Sequence, residues 1–383
     1  MIMLGIYVHV PFCVKKCGYC DFLSFPGMEN CFRGYVKALC GEIENRGKLH
    51  RPEEGGKAPV DTVFIGGGTP TVLPAEYLAE ILGTVEKTFD VIPGAEITVE
   101  ANPESATLEK LSKLREAGFN RLSIGFQSLS DRRLSAIGRI HDSKKALEAF
   151  AAARKAGFDN VNVDLIFGFP GEPEGEFAAT LEGVLALKPE HVSCYSLIVE
   201  EGTPLAENVR SGMLPEPDDV RDRKDYRQAV KRLKEAGYVH YEISNFALPG
   251  RESRHNLRYW HQREYLGFGP GASSFYGGRR FANSADVERY VSGIFETDPD
   301  SDETMTQAAL RDEFMMLGFR LTEGPDFDRF TEKFGRRPEE FFADRLEKLE
   351  IRGLIEKRGC GSRPYALTEK GLDFANEVFE EFV

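Results

Sequence analysis

Positive charge is in the minority in this 383-residue chain, with 49 Lys and Arg against 62 Asp and Glu and a formal net charge of −13. A surface of that sign repels a phosphate backbone, which argues against broad electrostatic binding to nucleic acid. Long apolar runs are also missing: no stretch nears the roughly 20 residues that a membrane-spanning helix needs. The first strand-like run begins almost at Met1, so no signal peptide and no transmembrane segment are expected, and the chain reads as cytoplasmic. Cysteine is scarce and unevenly placed. There are seven, an odd number, and three crowd into one loop. That distribution fits a reducing compartment better than a disulfide framework. Cys31, Cys40, Cys194 and Cys360 are scattered and read as small buried hydrophobes. What is present is ordinary for a globular protein, at 41% hydrophobic and 29% charged residues, and long enough for one large core plus an accessory domain.

The crowded loop runs from Tyr7 to Phe25, YVHVPFCVKKCGYCDFLSF. It sets Cys13, Cys17 and Cys20 at offsets of four and three, bends at Pro11 and Gly18, and carries Phe12, Tyr19 and Phe22 as an apolar wall. Three thiolates so spaced can each take one iron of a cubane cluster. The fourth iron then has no protein ligand and is open to a substrate or cofactor. The alternative is structural zinc, which usually takes four protein ligands in CxxC pairs, and no second pair exists here.

Short β-branched runs alternate with amphipathic stretches along the first half of the chain. Strands are predicted at Gly5 to Val10, Asp61 to Ile65, Glu96 to Ala101, Arg121 to Gln127, Val161 to Phe167 and His191 to Val199. Helices are predicted from about Cys31 to Arg46 and between the later strands, with a polar loop near residues 50–59. Such alternation implies a parallel sheet with right-handed crossovers. Six units fall short of a closed eight-stranded barrel, so an open (β/α)6 partial barrel is expected.

In such folds functional groups gather where the strands' carboxyl ends emerge. Gly66, Gly67, Gly68 and Thr69 follow the second strand, and glycines let the backbone approach a ligand closely. Glu100 ends the third strand, Gln127 the fourth, Arg139 follows, and Asp164 lies within the fifth. Singly, each is as readily a structural hydrogen bond or ion pair; together, buried charges must be paired or liganded.

The CVKKCGYC loop, with an aromatic residue before its third cysteine, resembles the cluster loop of radical S-adenosylmethionine proteins. GGGTPT, VEANP, GFQS, GRIH and NVDLIFGFPG, in that order, are similar to the motifs of the oxygen-independent coproporphyrinogen III oxidase-like branch of that superfamily. The resemblance covers essentially the whole chain. It implies a [4Fe-4S] cluster on Cys13, Cys17 and Cys20, whose open iron is chelated by S-adenosylmethionine, the source of a 5′-deoxyadenosyl radical. It further assigns Tyr7, Gly67, Gly68, Thr69, Glu100, Gln127, Arg139 and Asp164 to the S-adenosylmethionine site.

Beyond Val199 the pattern changes. Residues 200–217 read as a Gly- and Pro-bearing acidic loop, followed by a helix from about Val220 to Ala236 and a strand from Tyr238 to Phe246. Then comes SRHNLRYWHQREYLGFGPGASSF, with the chain's one tryptophan, Trp260, and an array of Tyr, Phe and His. Aromatic faces beside an imidazole suit a flat porphyrin and its iron, although a histidine among aromatics is more often a satisfied core residue. The acidic FETDPDSDET marks a boundary, after which helices at Gln307 to Leu317 and Pro338 to Arg352 and a hairpin suggest a winged-helix-like domain. It carries 13 Lys and Arg against 17 Asp and Glu, so a lid or partner-docking role is favoured over DNA binding. The expected division is a barrel at 1–200, an accessory α/β region at 201–300 and the small domain at 305–383.

Within the family, two readings compete. One is a dehydrogenase that decarboxylates coproporphyrinogen III propionates; the other is a haem chaperone that keeps the radical fold and hands haem to acceptor proteins, membrane-bound respiratory enzymes among them, at the inner face of the membrane. The dehydrogenases carry a further cysteine where this chain has Phe22, and a longer segment before the cluster loop, where only twelve residues precede Cys13. His255, Asn256, Tyr259 and Trp260 match the HNxxYW motif of the haem-chaperone branch. The resemblance therefore implies haem at His255, with Asn256, Tyr259 and Trp260 beside it.

Overall fold

The computed structural model describes residues 3–50 and 55–383. Six parallel strands form its centre: β1 (Leu4–Val10), β2 (Pro59–Gly67), β3 (Asp90–Ala101), β4 (Arg121–Gln127), β5 (Val161–Phe167) and β6 (His191–Ser196), lying side by side in chain order. Their inward residues, among them Ile6, Val8, Val63, Ile65, Val99, Ile124 and Val163, have no exposure. Helices cover the sheet, which is why these strands read as near-continuous apolar runs. The helices follow the usual signals. Ser143–Lys155 is capped by Asp142, which accepts from the Lys145 N–H, and ends in Arg154 and Lys155. It buries Ala146, Ala149, Phe150 and Ala153, the spacing of one helical face. The polar loop expected over 50–59 falls in part outside the described residues.

The sheet does not end with the six expected strands. It runs on through β7 (Val239–Glu242), β8 (Asn245–Ala247), β9 (Tyr265–Phe268), β10 (Ser273–Tyr276), β11 (Arg279–Ala282) and β12 (Glu303–Thr304). The spatial order is β12-β11-β10-β9-β1-β2-β3-β4-β5-β6-β8-β7, twelve strands in one sheet. β9 pairs parallel to β1, with Tyr7 opposite Gly267, and so adds a seventh parallel strand on the open edge. The one strand expected over Tyr238 to Phe246 is instead the β7–β8 hairpin, antiparallel to β6. The residues after Val199 also hold a helix, Pro204–Arg210, where a loop was expected; Thr203 caps it and Pro204 occupies its first turn.

Residues 314–382 build a second apolar core, with Phe319, Phe327, Phe330, Leu349 and Val378 at its centre. The expected helices there are Gln307–Gly318 and Glu339–Ile351, the hairpin pairs Ile355–Lys357 with Tyr365–Leu367, and a further helix, Phe327–Phe334, lies between. Of the four scattered cysteines only Cys194 is buried; Cys360 is exposed. Among the described residues no helix is long and apolar enough to cross a membrane.

Candidate functional site

The cysteine loop leaves β1 at its carboxyl end and is tied down by backbone. Gly18 donates to the Ile137 carbonyl at 3.0 Å and accepts from Leu205 N–H at 2.8 Å, so the unforeseen helix at 204–210 braces the loop. Gly68 and Thr69 donate to the carbonyls of Val10 and Phe12, both at 2.8 Å. A Cβ on Gly68 would stand 2.6 Å from the Phe12 oxygen and 3.1 Å from Cys13 Sγ, so glycine alone fits this approach. Burial pushes the Cys20 thiol up.

No three His, Cys, Asp or Glu side chains among the described residues converge on a single ion. A lone zinc is poorly served by that arrangement. A cubane is not, because each thiolate takes its own iron and the sulfurs stand apart. Three thiols on one braced loop, with no fourth protein donor among the described residues, therefore fit a [4Fe-4S] cluster with one open iron.

The strand-end residues converge beside this loop. Glu100 Oε2 accepts from Gly67 N–H at 3.2 Å. Thr69 Oγ1 lies 3.4 Å from Cys13 Sγ and accepts from Asn102 Nδ2 at 3.0 Å. Arg139 reaches in from the segment after β4: Nη1 is 3.5 Å from Cys17 Sγ, and Nη2 donates to Asn102 Oδ1 at 2.8 Å and to the Gly125 carbonyl at 2.5 Å. Its Nε is buried with no partner, an orphaned donor at the mouth of the barrel. Gln127 has φ 65° at a register shift that ends β4, and the bulge sets its amide beside Gly125 and Arg139. Asp164 accepts from Ser123 Oγ at 3.0 Å and from Asn162 Nδ2 at 2.8 Å. Burial, with the Asp164 carboxyl nearby, pushes Glu100 up to about 8, and burial raises Asp164 as well. Carboxyls in that condition gain from a cation placed between them, and a sulfonium or ammonium group is one.

Tyr7 links this cluster to a second site, its phenol pushed up by burial and by the nearby Glu100 carboxyl. Its phenol hydrogen-bonds His9 Nδ1 at 3.0 Å, while His9 Nε2 bonds the Leu23 carbonyl at 2.9 Å. Both residues line a cleft of about 540 Å³ whose other walls include Phe22, Tyr259, Trp260, Arg263, Tyr265, Phe275, Arg280 and, from the second core's side, Leu317. The cleft joins the cluster loop to the HNxxYW helix, Arg254–Trp260, which β9 carries alongside β1.

His255 lies behind that wall and does not line the cleft. It is 1% exposed, stacked on Phe64 with centroids 5.3 Å apart. Nδ1 pairs with Thr62 Oγ1 at 2.9 Å and Nε2 with Tyr259 Oη at 2.8 Å, and Glu96 Oε1 accepts its backbone N–H at 3.0 Å. Burial, then the cationic Arg258 and Arg121, drives the imidazole down to about 3, so it is neutral. Trp260 lines the cleft with Arg320 4.3 Å above its ring, and Asn256 does not line it. Sequence reasoning missed His9 and Asn102. His9 shares the β1 face with Tyr7, two residues on, and Asn102 sits just past Glu100 in the quoted VEANP; both signals were available.

Comparison with known proteins agrees with this architecture. Residues 7–184 match the model of the radical SAM superfamily, and residues 305–374 match that of the HemN C-terminal domain. The chain is 38% identical over 386 residues to the heme chaperone HemW of Bacillus subtilis, covering 100% of this chain and 99% of that one. It is 32% identical to the heme chaperone HemW of Escherichia coli, over 99% and 98% of the two chains. Among solved structures, coproporphyrinogen III oxidase (HemN) from Escherichia coli superposes with a TM-score of 0.84 at 24% identity, over 100% of this chain and 90% of that one, which establishes a shared fold.

Proposed function

The chain belongs to the HemW family of radical S-adenosylmethionine proteins, and we propose that it is a haem chaperone which holds haem in the aromatic cleft and passes it to acceptor haemoproteins. The cleft carries this reading. Tyr, Trp and Phe rings offer faces to a flat macrocycle, and Arg263, exposed at the rim, offers a cation to a propionate, while Arg280 is ion-paired with Glu313 at 2.6 Å. Its placement against the cluster loop gives the metal site a means of sensing or gating the cargo.

Cys13, Cys17 and Cys20 would hold the cluster, and the residues around Gly67, Glu100 and Arg139 the S-adenosylmethionine. A bound cluster supplies one electron and an open iron. The chain's own groups do the rest: Arg139 sets a positive charge against Cys17, Glu100 and Asp164 await a cation, and the Gly67–Gly68 backbone sets the approach distance. Gln127, Thr69 and Asn102 complete the polar rim. Tyr7 stands between the two sites, its ring 6.5 Å from that of His255 and its hydroxyl on His9. Of the segment expected to carry haem, Tyr259 and Trp260 line the cleft, and His255 backs Tyr259 through its hydrogen bond. Acceptors of this reading include membrane-bound respiratory enzymes, met by a cytoplasmic chain at the inner membrane face without insertion. Residues 305–383, with a core of their own, suit the docking of such partners.

The alternative, coproporphyrinogen decarboxylation, places a reactive thiol where the structure has Phe22, 68% exposed at the rim of the cleft and without redox chemistry. Anaerobic reconstitution of the cluster, followed by parallel haem titration and coproporphyrinogen III turnover with S-adenosylmethionine and a reductant, separates the two. Stoichiometric haem uptake without decarboxylation supports the chaperone, and multiple turnovers to protoporphyrinogen overturn it.

A further inference from the structure

The GRIH segment sends two side chains to the end of β4. Arg139 Nη2 donates to the Gly125 carbonyl at 2.5 Å, and His141 Nε2 lies 3.2 Å from the carbonyl of Phe126, the next residue along the strand. Gln127 follows directly. In the β4–β5 ladder Gly125 stands opposite Asp164 and Gln127 opposite Leu165, so Phe126 is an extra residue that the ladder leaves unpaired. Its carbonyl accepts the Ser128 N–H at 2.8 Å. A bond from the second residue on, closed across a residue with φ 65°, makes a γ-turn of positive φ centred on Gln127, which is rare and strained. A residue with a side chain holds such a backbone only where its surroundings over-determine it.

His141 supplies that constraint. It is 5% exposed. A carbonyl only accepts, so the ring proton sits on Nε2; burial, with the cationic Arg139 nearby, pushes the imidazole down to about 4 and keeps it neutral. Nδ1 is buried with no partner among the described residues. A hydrocarbon of similar size would fill the same space without stranding that nitrogen, so what the imidazole adds here is its one N–H. Resting on the S-adenosylmethionine site read above, the geometry points to His141 as the residue that positions Gln127. Its N–H holds the Phe126 peptide, the peptide holds the turn, and the turn sets the Gln127 amide beside Gly125 and Arg139. Arg139 on Gly125 and His141 on Phe126 also close the segment from Ser128 to Ile140 at its base, which fixes the spacing between Gln127 and the Arg139 guanidinium. His141 acts through Gln127, not on the ligand.

The test is titration of S-adenosylmethionine onto the reduced, cluster-loaded full chain, read by the change in the cluster's EPR signal as the open iron is filled. Iron and sulfide content and a thermal melt check folding. His141→Leu, which fills the space without a donor, should bind at least about tenfold more weakly, roughly 1.4 kcal/mol, at unchanged iron and sulfide. His141→Gln, which returns an N–H near the position of Nε2, should recover most of that affinity. Gln127→Ala should weaken binding to a similar extent, and adding His141→Leu to it should cost little more, because residues that act as one unit are not additive. Parent-like affinity in His141→Leu overturns the assignment, as does a glutamine variant as weak as the leucine one, or losses that add in the double variant. A parent protein whose signal does not respond to S-adenosylmethionine removes the ligand site itself, and the inference with it.

Discussion

Arg139 points its guanidinium at Cys17, Nη1 to Sγ at 3.5 Å, while its Nε is buried without a partner. A cation held against one cysteine of the loop and short of one acceptor is set to meet an anion entering beside the metal, as a carboxylate would. Arg139→Ala is expected to weaken S-adenosylmethionine binding by tenfold or more, about 1.5–3 kcal/mol for a charge-assisted bond. Equilibrium binding to the reconstituted protein measures it. Arg139→Lys should restore little, because a point charge does not reproduce the fork that spans Asn102, Gly125 and Cys17.

Gly68 tests the cradle. An added methyl meets the Phe12 carbonyl and Cys13 Sγ, neither of which is a flexible tip. Gly68→Ala should cost about 1–3 kcal/mol in denaturant unfolding and lower iron and sulfide per chain after reconstitution. Unchanged iron content would mean that the loop yields freely.

The raised carboxyl at Glu100 makes a prediction about pH. Its folded value near 8 lies above the ordinary 4.5, so the folded state binds the extra proton between those values. The native state is therefore progressively penalised as pH rises from about 4.5 to about 8, and the full penalty stands above that. Glu100→Gln should be more stable than the parent at pH 8.5 and equal to it at pH 4. Thermal melts of ligand-free protein at the two pH values decide it.

The two metals should separate by mutation. Cys17→Ser is expected to lose the cluster, read as iron and sulfide content. His255→Ala should keep that content and bind haem more weakly, since Tyr259 loses its hydrogen-bond partner. Equal haem binding by both variants and the parent would disprove the placement of haem at this segment.

Glu42 holds two distant stretches together. Buried at 1% exposure, it accepts from Arg46 at 2.9 Å, Asn283 at 2.8 Å, Tyr290 at 2.6 Å and the Gly269 N–H at 3.0 Å. Glu42→Ala strands those donors and should cost about 3–5 kcal/mol. Urea unfolding checks this, and a loss below 1 kcal/mol would show that water replaces the carboxylate.

The six central strands were legible because buried parallel strands are written as short β-branched runs, and Arg121–Gln127 and Val161–Phe167 match the structure to the residue. The cluster loop was legible because three cysteines in eight residues have few other uses. β9 was not: Tyr265–Phe268 is four residues long and contains a glycine, and its status as a strand depends on β1, about 260 residues away. The position of His255 was legible only as a motif. Whether an imidazole faces a cleft or backs a tyrosine depends on Phe64 and Thr62, which no local pattern connects to it.

The pairing of β1 with β9 also has a bearing on how the protein is made. During synthesis β1 emerges first and stays an uncovered edge on one side until Tyr265–Phe268 has left the ribosome, at about 5–20 residues per second. An apolar strand exposed for that long invites mispairing with other chains. Long-range closure of this kind is also slow. The aromatic cleft does not exist before that closure, because Tyr7 and Tyr259 come from its two sides. A truncation anywhere before Phe268 therefore loses the edge strand and the cleft in one step.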